Sequence, residues 1–156
     1  MKQRRENMTV SIINLADQPS LQNEAAKWFS SKWGIDEGIY LESMMTEGVI
    51  PSWFVAIEDD TIIAGAGVID NDFHNRPDLT PNICALYVEE GYRGHRLSEK
   101  LFNEMEQYLM SKGVHHVYLI TDHDGLYEKY GWSFVTHVEE EETHEPIRLY
   151  GKELAD

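Results

Sequence analysis

The chain has 156 residues, 42% of them hydrophobic, and its 13 basic and 28 acidic side chains give a formal net charge of −15. This length and hydrophobic content are enough for one domain with one sizeable core. The negative charge repels phosphodiester backbones, which argues against nucleic acid as a partner, and it attracts cationic small molecules or basic peptides. A hydrated acidic surface is a simpler explanation of the same charge.

Cysteine content and the start of the chain bear on its compartment. Cys84 is the only cysteine, so no internal disulfide can form, which indicates a reducing cytoplasm. No apolar run approaches the roughly 20 residues that span a bilayer, so no membrane partner is expected. Residues 1–8 are basic and lack the long apolar segment of a signal peptide. We therefore predict a disordered extension at 1–8 and a single domain at 9–156.

The first half of the chain predicts a strand, two helices and a hairpin. In the first helix, Leu21, Ala25 and Phe29 recur on one face. The pair Asp59-Asp60 predicts a tight turn that joins two strands. In chain order the elements are a strand at 9–15, helices at 19–33 and 36–46, and strands at 52–59 and 61–70.

The second half predicts a strand, helix, strand unit followed by a short helical turn and two strands. Leu97, Leu101, Met105 and Leu109 recur every four residues, which predicts an amphipathic helix. After a loop at 71–81, the elements are a buried strand at 82–90, the helix at 97–112, a strand at 115–121, a turn at 125–130, and strands at 132–141 and 146–154. The unit from 82 to 121 predicts a parallel crossover, and the earlier hairpin predicts a mixed sheet.

The junction between the buried strand and the long helix is unusually basic for this chain. It reads Tyr92-Arg93-Gly94-His95-Arg96. A loop that enters a helix there directs backbone N–H groups and the positive end of the helix dipole at one spot. The cationic side chains add to this potential, so the junction suits an anion, phosphate above all. A sharp turn with surface arginines explains the same residues equally well.

Two segments resemble motifs of the GNAT superfamily of N-acetyltransferases. The junction resembles its acetyl-CoA motif, (Gln/Arg)-x-x-Gly-x-(Gly/Ala), with Arg93 at the first position, Arg96 at the first glycine and Ser98 at the last position. "GLYEKYGW" at 125–132 resembles its Tyr-Glu-Lys-x-Gly-Phe segment. The resemblance implies an α/β (α+β) fold, with a mixed, mostly antiparallel central sheet split by a V-shaped opening and flanked by about four helices.

The resemblance also implies which residues bind acetyl-CoA, the co-substrate. The backbone of Leu86, Tyr87 and Val88 is expected to bind pantetheine and the acetyl carbonyl, and Thr121 is a further pantetheine contact. The diphosphate is expected to lie on the amides of Arg93, Gly94, His95, Arg96, Leu97 and Ser98. Arg96 departs from the motif, so CoA binding could be weak. We expect it to adopt ordinary helical dihedrals, to keep its amide donor, and to have a guanidinium able to reach a phosphate.

In this superfamily an amine attacks the thioester directly, and a tyrosine protonates the departing thiolate. Tyr127 matches that tyrosine, although it could be only a packed aromatic, the role expected of Tyr130. A phenol is protonated at neutral pH, as a proton donor must be. The general base is left unassigned: Asp70 and Asp72 follow the strand before the central one. Glu89 and Glu90 are expected to face solvent.

The acceptor is expected to be a primary amine on a small cationic molecule. Trp33 and Tyr40, around the connection between the first two helices, are candidate acceptor contacts, with ordinary helix packing as the alternative. No metal is expected, because His115 and His116 are strand neighbours that point to opposite faces. A protein amine as acceptor, or a CoA-binding module with little or no turnover, are the alternatives. Relatives are often dimers, so a homodimer is possible.

Overall fold

The computed structural model describes residues 9–94 and 96–155. The extension predicted at 1–8 and the CoA contact predicted for His95 lie outside the described residues. Seven strands form one sheet: β1 (Ser11–Asn14), β2 (Ser52–Glu58), β3 (Thr61–Ile69), β4 (Asn82–Val88), β5 (His116–Thr121), β6 (Ser133–Glu139) and β7 (Pro146–Glu153). The described part also contains three α-helices: α1 (Gln22–Trp33), α2 (Glu37–Met45) and α3 (Leu97–Ser111). The fourth helical segment of the about four expected, at 125–130, is a short 3₁₀ helix at Tyr127–Tyr130.

The strand order of the sheet is β1-β2-β3-β4-β5-β7-β6. β4 and β5 are parallel, with Asn82 paired with Tyr118, as the strand, helix, strand pattern predicted. β1 with β2, β5 with β7, and β6 with β7 are antiparallel. The predicted mixed, mostly antiparallel α/β class is therefore confirmed. The V-shaped opening stays a prediction.

Local capping signals set the limits of the first two helices. Gly34 follows α1 with a φ of 74°, a left-handed conformation that glycine adopts readily, and its N–H donates to the Ser30 carbonyl. Asp36 precedes α2, and its carboxylate accepts a hydrogen bond from the Gly38 amide at 2.9 Å. These limits agree with the sequence prediction to within a few residues.

The chain divides into two compact units. The first comprises the described residues up to Gly67 together with Ala85–Met105. Its core includes the rings of Phe29, Tyr40 and Trp53: Phe29 stacks on Tyr40 at 5.5 Å and meets Trp53 edge-on at 5.0 Å. Such contacts add to the hydrophobic gain of burying the rings.

The second unit comprises Val68–Cys84 and the described residues from Glu106 to Ala155. Val138, Ile147 and Leu149 form a buried cluster on β6 and β7, and Tyr118 of β5 packs against it. α3 belongs to the first unit up to Met105 and to the second from Glu106. Its four-residue repeat is buried as predicted, with Leu97 2% exposed and Leu101, Met105 and Leu109 fully buried. An apolar stripe of this kind stabilises a helix mainly through the packing of one face.

The predicted loop at 71–81 is ordered by a buried polar network. His74 is 1% exposed, its Nδ1 accepts from the Arg76 amide at 3.1 Å, and its Nε2 therefore carries the proton that it donates to Asn82 Oδ1 at 2.8 Å. Asn82 Nδ2 donates to the Leu79 carbonyl at 2.8 Å, and Asn71 bonds both backbone groups of His74. Composition predicted the loop but not this network, because its partners depend on the folded path.

Candidate active site

The burial and the backbone conformation of β4 change at Ala85. The residues at 82–84 are buried, whereas those at 85–88 are half-buried. Ala85 has a φ of 55°, which interrupts the regular strand conformation and is unfavourable for a residue with a Cβ. The indole N–H of Trp33, at the end of α1, donates to the Ala85 carbonyl at 3.2 Å. The half-exposed stretch that follows contains the three residues whose backbone is predicted to bind pantetheine, namely Leu86, Tyr87 and Val88.

The Tyr87 ring is held by aromatic and cationic neighbours. Trp28 and Trp33 meet it edge-on at centroid distances of 5.9 and 6.3 Å. The Lys32 ammonium lies 5.0 Å from its centroid, and the Arg93 guanidinium carbon lies 5.3 Å away. Cations near an aromatic face are attracted by the ring quadrupole. These contacts hold the Tyr87 side chain in place against α1 and the loop after β4.

Glu89 is only partly exposed and its carboxylate is paired, which differs from the expectation that it faces solvent. Its carboxylate accepts hydrogen bonds from Trp28 Nε1 and from the Lys32 ammonium, both at 2.9 Å. Partial burial acts to raise the pKa of Glu89, but the hydrogen bonds from Lys32 and Trp28 outweigh it and hold the pKa below its usual value. Glu90 is exposed, as expected. Glu89 thus joins the end of β4 to α1.

The loop after β4 begins with a short 3₁₀ helix at Glu90–Tyr92. The Tyr92 hydroxyl donates to Glu58 Oε1 at 2.9 Å, and Arg93 Nε donates to the Val88 carbonyl at 2.9 Å. The Arg93 amide donates to the Glu90 carbonyl at 3.4 Å, so it already takes part in this turn. The contact predicted between the Arg93 amide and the diphosphate stays a prediction.

Arg96 does not have ordinary helical dihedrals, which corrects the sequence expectation. Its φ is 60°, in the left-handed region, and Gly94 has a φ of 86°. The Lys100 amide donates to the Arg96 carbonyl at 3.1 Å, so Arg96 lies immediately before the hydrogen-bonded ladder of α3. The glycine of the superfamily motif fits such a conformation without strain, whereas arginine does not.

The junction fits the phosphates of coenzyme A. The amides of Leu97 and Ser98 lie in the first turn of α3, where helix N–H groups lack carbonyl partners within the helix. A Cβ built on Gly94 would meet no atom within 4 Å, so the backbone there borders open space. Arg93 and Arg96 are exposed and supply positive charge. Amide donors, open space and cations are what a diphosphate needs.

Thr121 ends β5 and is 8% exposed. Its hydroxyl oxygen accepts a hydrogen bond from the His123 amide at 3.0 Å. The hydroxyl keeps its own proton to donate, which is compatible with the pantetheine contact that the motif resemblance implies.

Tyr127 begins a 3₁₀ helix at Tyr127–Tyr130 that ends at Gly131, whose φ is 88°. Its half-buried ring lies 6.5 Å from Trp132 and 6.2 Å from Tyr150, measured between centroids. Burial, and to a lesser degree Tyr130, raises the pKa of the Tyr127 hydroxyl. The phenol therefore stays protonated at neutral pH, as a proton donor must.

Two side chains of β7 hold this turn in place. The Tyr150 hydroxyl donates to Glu128 Oε2 at 3.1 Å. The Lys152 ammonium donates to the Tyr130 carbonyl at 2.9 Å and forms an ion pair with Glu106 at 3.0 Å. Sequence reasoning missed these residues, because no motif marks them and each acts on a turn more than 20 residues away along the chain.

The two candidate acceptor contacts have different environments. Trp33 is 46% exposed, with its N–H on the Ala85 carbonyl. Tyr40 is 5% exposed and packs between Phe29 and Trp53. This burial favours the packing role that the sequence left open for Tyr40, and leaves Trp33 as the accessible ring.

Asp72 is a perturbed carboxyl group in the ordered loop after β3. Its burial, with a smaller contribution from Glu140, raises its pKa from 3.8 to about 6. Its amide donates to Asn82 Oδ1 at 3.0 Å, so the buried network fixes its backbone. Burial disfavours a charged carboxylate unless a partner compensates. The sequence named Asp72 only by its position after the strand.

Over residues 9–94 and 96–155, no three His, Cys, Asp or Glu side chains cluster as a metal site would require. Nor does any helix in that part of the chain have the length and apolarity to cross a bilayer.

Solved structures of acetyltransferases share this fold. A GNAT-family acetyltransferase from Staphylococcus aureus Mu50 has a TM-score of 0.70 at 17% identity, covering 94% of this chain and 100% of its own. An aminoglycoside 6′-N-acetyltransferase complexed with coenzyme A has a TM-score of 0.72 at 19% identity, covering 96% and 98%. The aminoglycoside 6′-N-acetyltransferase from Enterococcus faecium has a TM-score of 0.70 at 19% identity, with the same coverage.

Curated protein sequences give no match to this chain. The sequence profile of the acetyltransferase (GNAT) family matches residues 19–132, a range that includes β4, the basic junction and the "LYEKYGW" segment. Both motifs and the element order led to the same superfamily. The chain belongs to the acetyltransferase (GNAT) family, and it is an acyl-CoA-dependent N-acetyltransferase with acetyl-CoA as its co-substrate.

Proposed function

We propose that this enzyme transfers the acetyl group of acetyl-CoA to a primary amine on a small cationic molecule, by direct attack in a ternary complex. Two observations support such an acceptor. The net charge of −15 attracts cations. Among its structural neighbours are aminoglycoside 6′-N-acetyltransferases, whose named substrates carry amines.

The observation that carries the donor site is the junction before α3. Gly94 borders open space, and Arg96 is left-handed and directly precedes the first-turn amides of α3. In the proposal, the diphosphate lies on the amides that follow Arg93, up to Ser98. Pantetheine lies along the half-exposed backbone of 86–88 and extends it as an added strand would.

The chemistry requires one bond to form and one to break. The amine nitrogen attacks the thioester carbonyl carbon, the C–N bond forms, and the C–S bond then breaks to release the CoA thiolate. We assign Tyr127 as the acid whose hydroxyl proton passes to that thiolate. A backbone N–H near Leu86 stabilises the negative charge on the carbonyl oxygen. The base that removes the ammonium proton is left unassigned.

Trp33 is the proposed acceptor contact. Its ring is 46% exposed at the end of α1, and its N–H is anchored on the Ala85 carbonyl in β4. An anchored, exposed indole presents a face on which an ammonium or an apolar body can stack at low entropic cost. The single cysteine, Cys84, is buried and is compatible with the proposed cytoplasmic location. One catalytic domain at 9–156, with a possible homodimer, completes the proposal.

The experiment measures release of CoA thiol from acetyl-CoA with kanamycin, spermidine and a lysine-containing peptide as acceptors. We expect turnover with at least one of the two small amines. Turnover with the peptide alone would move the assignment to a protein amine acetyltransferase. Acetyl-CoA binding without turnover on any of the three would favour a CoA-binding module.

Tyr127→Phe tests the acid, and Tyr130→Phe is the matched control three residues away. We expect Tyr127→Phe to lower kcat by about 100-fold, in the range of general acid catalysis, with the Kd for acetyl-CoA unchanged. Tyr130→Phe should retain most activity. An unchanged kcat in Tyr127→Phe would refute the assignment.

A further inference from the structure

We propose that the guanidinium of Arg96 binds a phosphate group of coenzyme A, and that this contact offsets the strain of the left-handed backbone at Arg96. The inference rests on the proposed donor site at the start of α3. It adds a residue-specific phosphate contact where the superfamily motif has a glycine, which has no side chain to offer.

The backbone conformation is the first observation. Arg96 has a φ of 60°, a region that side chains with a Cβ rarely adopt. Phe73, Ala85 and His144 also have a positive φ, each in a loop or at the break in β4. Asp59 and Asp60 share such angles because they form the β2–β3 hairpin turn, and short aspartates tolerate that conformation. Arginine has no such local advantage. Strained positions of this kind gather at functional sites, where another interaction offsets the strain.

The state of the side chain is the second observation. Across residues 9–94 and 96–155 there are four arginines, and the other three have partners. Arg76 binds Asp78 through two nitrogens, Arg93 donates to the Val88 carbonyl, and Arg148 lies 3.6 Å from Asp124. Arg96 is exposed and makes no side-chain hydrogen bond or ion pair with those residues. In a chain with a net charge of −15, an arginine with no carboxylate partner is available for an anion from outside.

The position of Arg96 at the start of α3 is the third observation. Its carbonyl accepts the Lys100 amide at 3.1 Å, and the amides of the first turn of α3 follow it directly. A guanidinium beside helix N–H groups adds a planar, always-charged donor to them, which suits phosphate oxygens. Coenzyme A carries such oxygens in its diphosphate and in its 3′-phosphate. Either group has the chemistry that Arg96 would bind.

The experiment uses calorimetry on the full chain, with CoA and with dephospho-CoA, which lacks the 3′-phosphate. Arg96→Asn and Arg96→Gly remove the charge and accept a positive φ, and Arg96→Lys keeps the charge without the planar fork. Lys112→Asn removes one exposed positive charge after the end of α3 and is the control. None of these measurements requires an acceptor.

We expect Arg96→Asn and Arg96→Gly to bind CoA about 10-fold more weakly or worse, the size expected for one charge-assisted hydrogen bond. Arg96→Lys should lose less, and Lys112→Asn should bind as the wild type does. If the 3′-phosphate is the partner, the wild type and Arg96→Asn bind dephospho-CoA equally. If the diphosphate is the partner, Arg96→Asn is weaker with both ligands, and either pattern supports the proposal.

In the Arg96 variants, the unfolding temperature is expected to change in the opposite direction from the affinity for CoA. Because asparagine and glycine adopt a positive φ more readily, both variants should unfold at the wild-type temperature or up to about 4 °C higher, although they bind CoA less well. Wild-type CoA affinity in Arg96→Asn, or a clear drop in its unfolding temperature, would overturn the inference alone. A wild-type protein that does not bind CoA would overturn the donor site itself, and the inference with it.

Discussion

The ion pair between Lys152 and Glu106 connects β7 to α3 and also supports the turn that contains Tyr127. The Lys152 ammonium lies 3.0 Å from Glu106 Oε1 and donates to the Tyr130 carbonyl at 2.9 Å. Lys152→Met removes the charge and both contacts while keeping most of the apolar stem. The Glu106 carboxylate then remains in a place where little water can reach it.

The size of the effect follows from the burial of the pair. Removing one partner of a fully buried pair costs about 3–5 kcal/mol, mostly from the charge left without a partner. The side chains of Lys152 and Glu106 are 22% and 11% exposed, so water compensates part of the loss. We therefore expect Lys152→Met to lower the free energy of unfolding by about 2–3 kcal/mol. For a chain of this length, that corresponds to a fall of about 4–12 °C in the unfolding temperature.

The assay is urea unfolding at pH 7 on a double-mutant cycle. Lys152→Met, Glu106→Leu and the double variant are compared with the wild type, and Lys129→Met is the exposed control in the same turn. The double variant removes both charges, so it should be more stable than Lys152→Met. In the turnover assay, Lys152→Met should lower kcat more than it raises the KM for acetyl-CoA, because the turn before Tyr130 loosens.

Two results would refute this reasoning. A loss below about 0.5 kcal/mol in Lys152→Met, no larger than that of Lys129→Met, would mean that the pair behaves as an exposed surface contact. A double variant as unstable as the sum of the single variants would mean that the side chains act independently.

Two further predictions concern carboxylates that tertiary packing perturbs. The pKa of Asp72 is raised from 3.8 to about 6, so the native state binds more protons than the unfolded state between these pH values, and stability falls as the pH rises through them. In unfolding titrations, Asp72→Asn should stabilise the fold by up to about 3 kcal/mol at pH 7 and should have no effect below pH 3.8. A gain in stability that is the same at every pH would contradict the assigned pKa. Glu89→Gln should lower the free energy of urea unfolding by about 1 kcal/mol, because it weakens the hydrogen bond from Lys32. The exposed control Glu90→Gln should change it very little, and equal losses in the two variants would contradict this prediction.

The element order and the family were accessible from local patterns. The four-residue repeat from Leu97 to Leu109 predicted α3, and all four of its apolar residues are buried. Gly34 and Gly131 marked helix ends because each adopts a left-handed conformation there. In these cases the signal lies within a few residues of the structure it specifies.

Other residues could not be placed from the sequence. Tyr40 shares a helical pattern with Ile39, yet Tyr40 is 5% exposed and Ile39 is 61% exposed, because α2 turns only one of them toward Phe29 and Trp53. Glu89 lies 61 positions from Trp28 along the chain and is bonded to it in the fold. Such contacts join segments whose spacing in the sequence carries no periodic signal.

The sequence by itself determined the order of strands and helices, the two motifs and hence the family, since each depends on interactions between near neighbours. Only the tertiary structure decided the environment of the chemical groups: the left-handed Arg96, the partly buried carboxyl of Asp72, and the anchoring of the Tyr127 turn by Lys152. Desolvation and partner choice are properties of the packed chain, because distant segments must meet before a group loses its water or gains a partner.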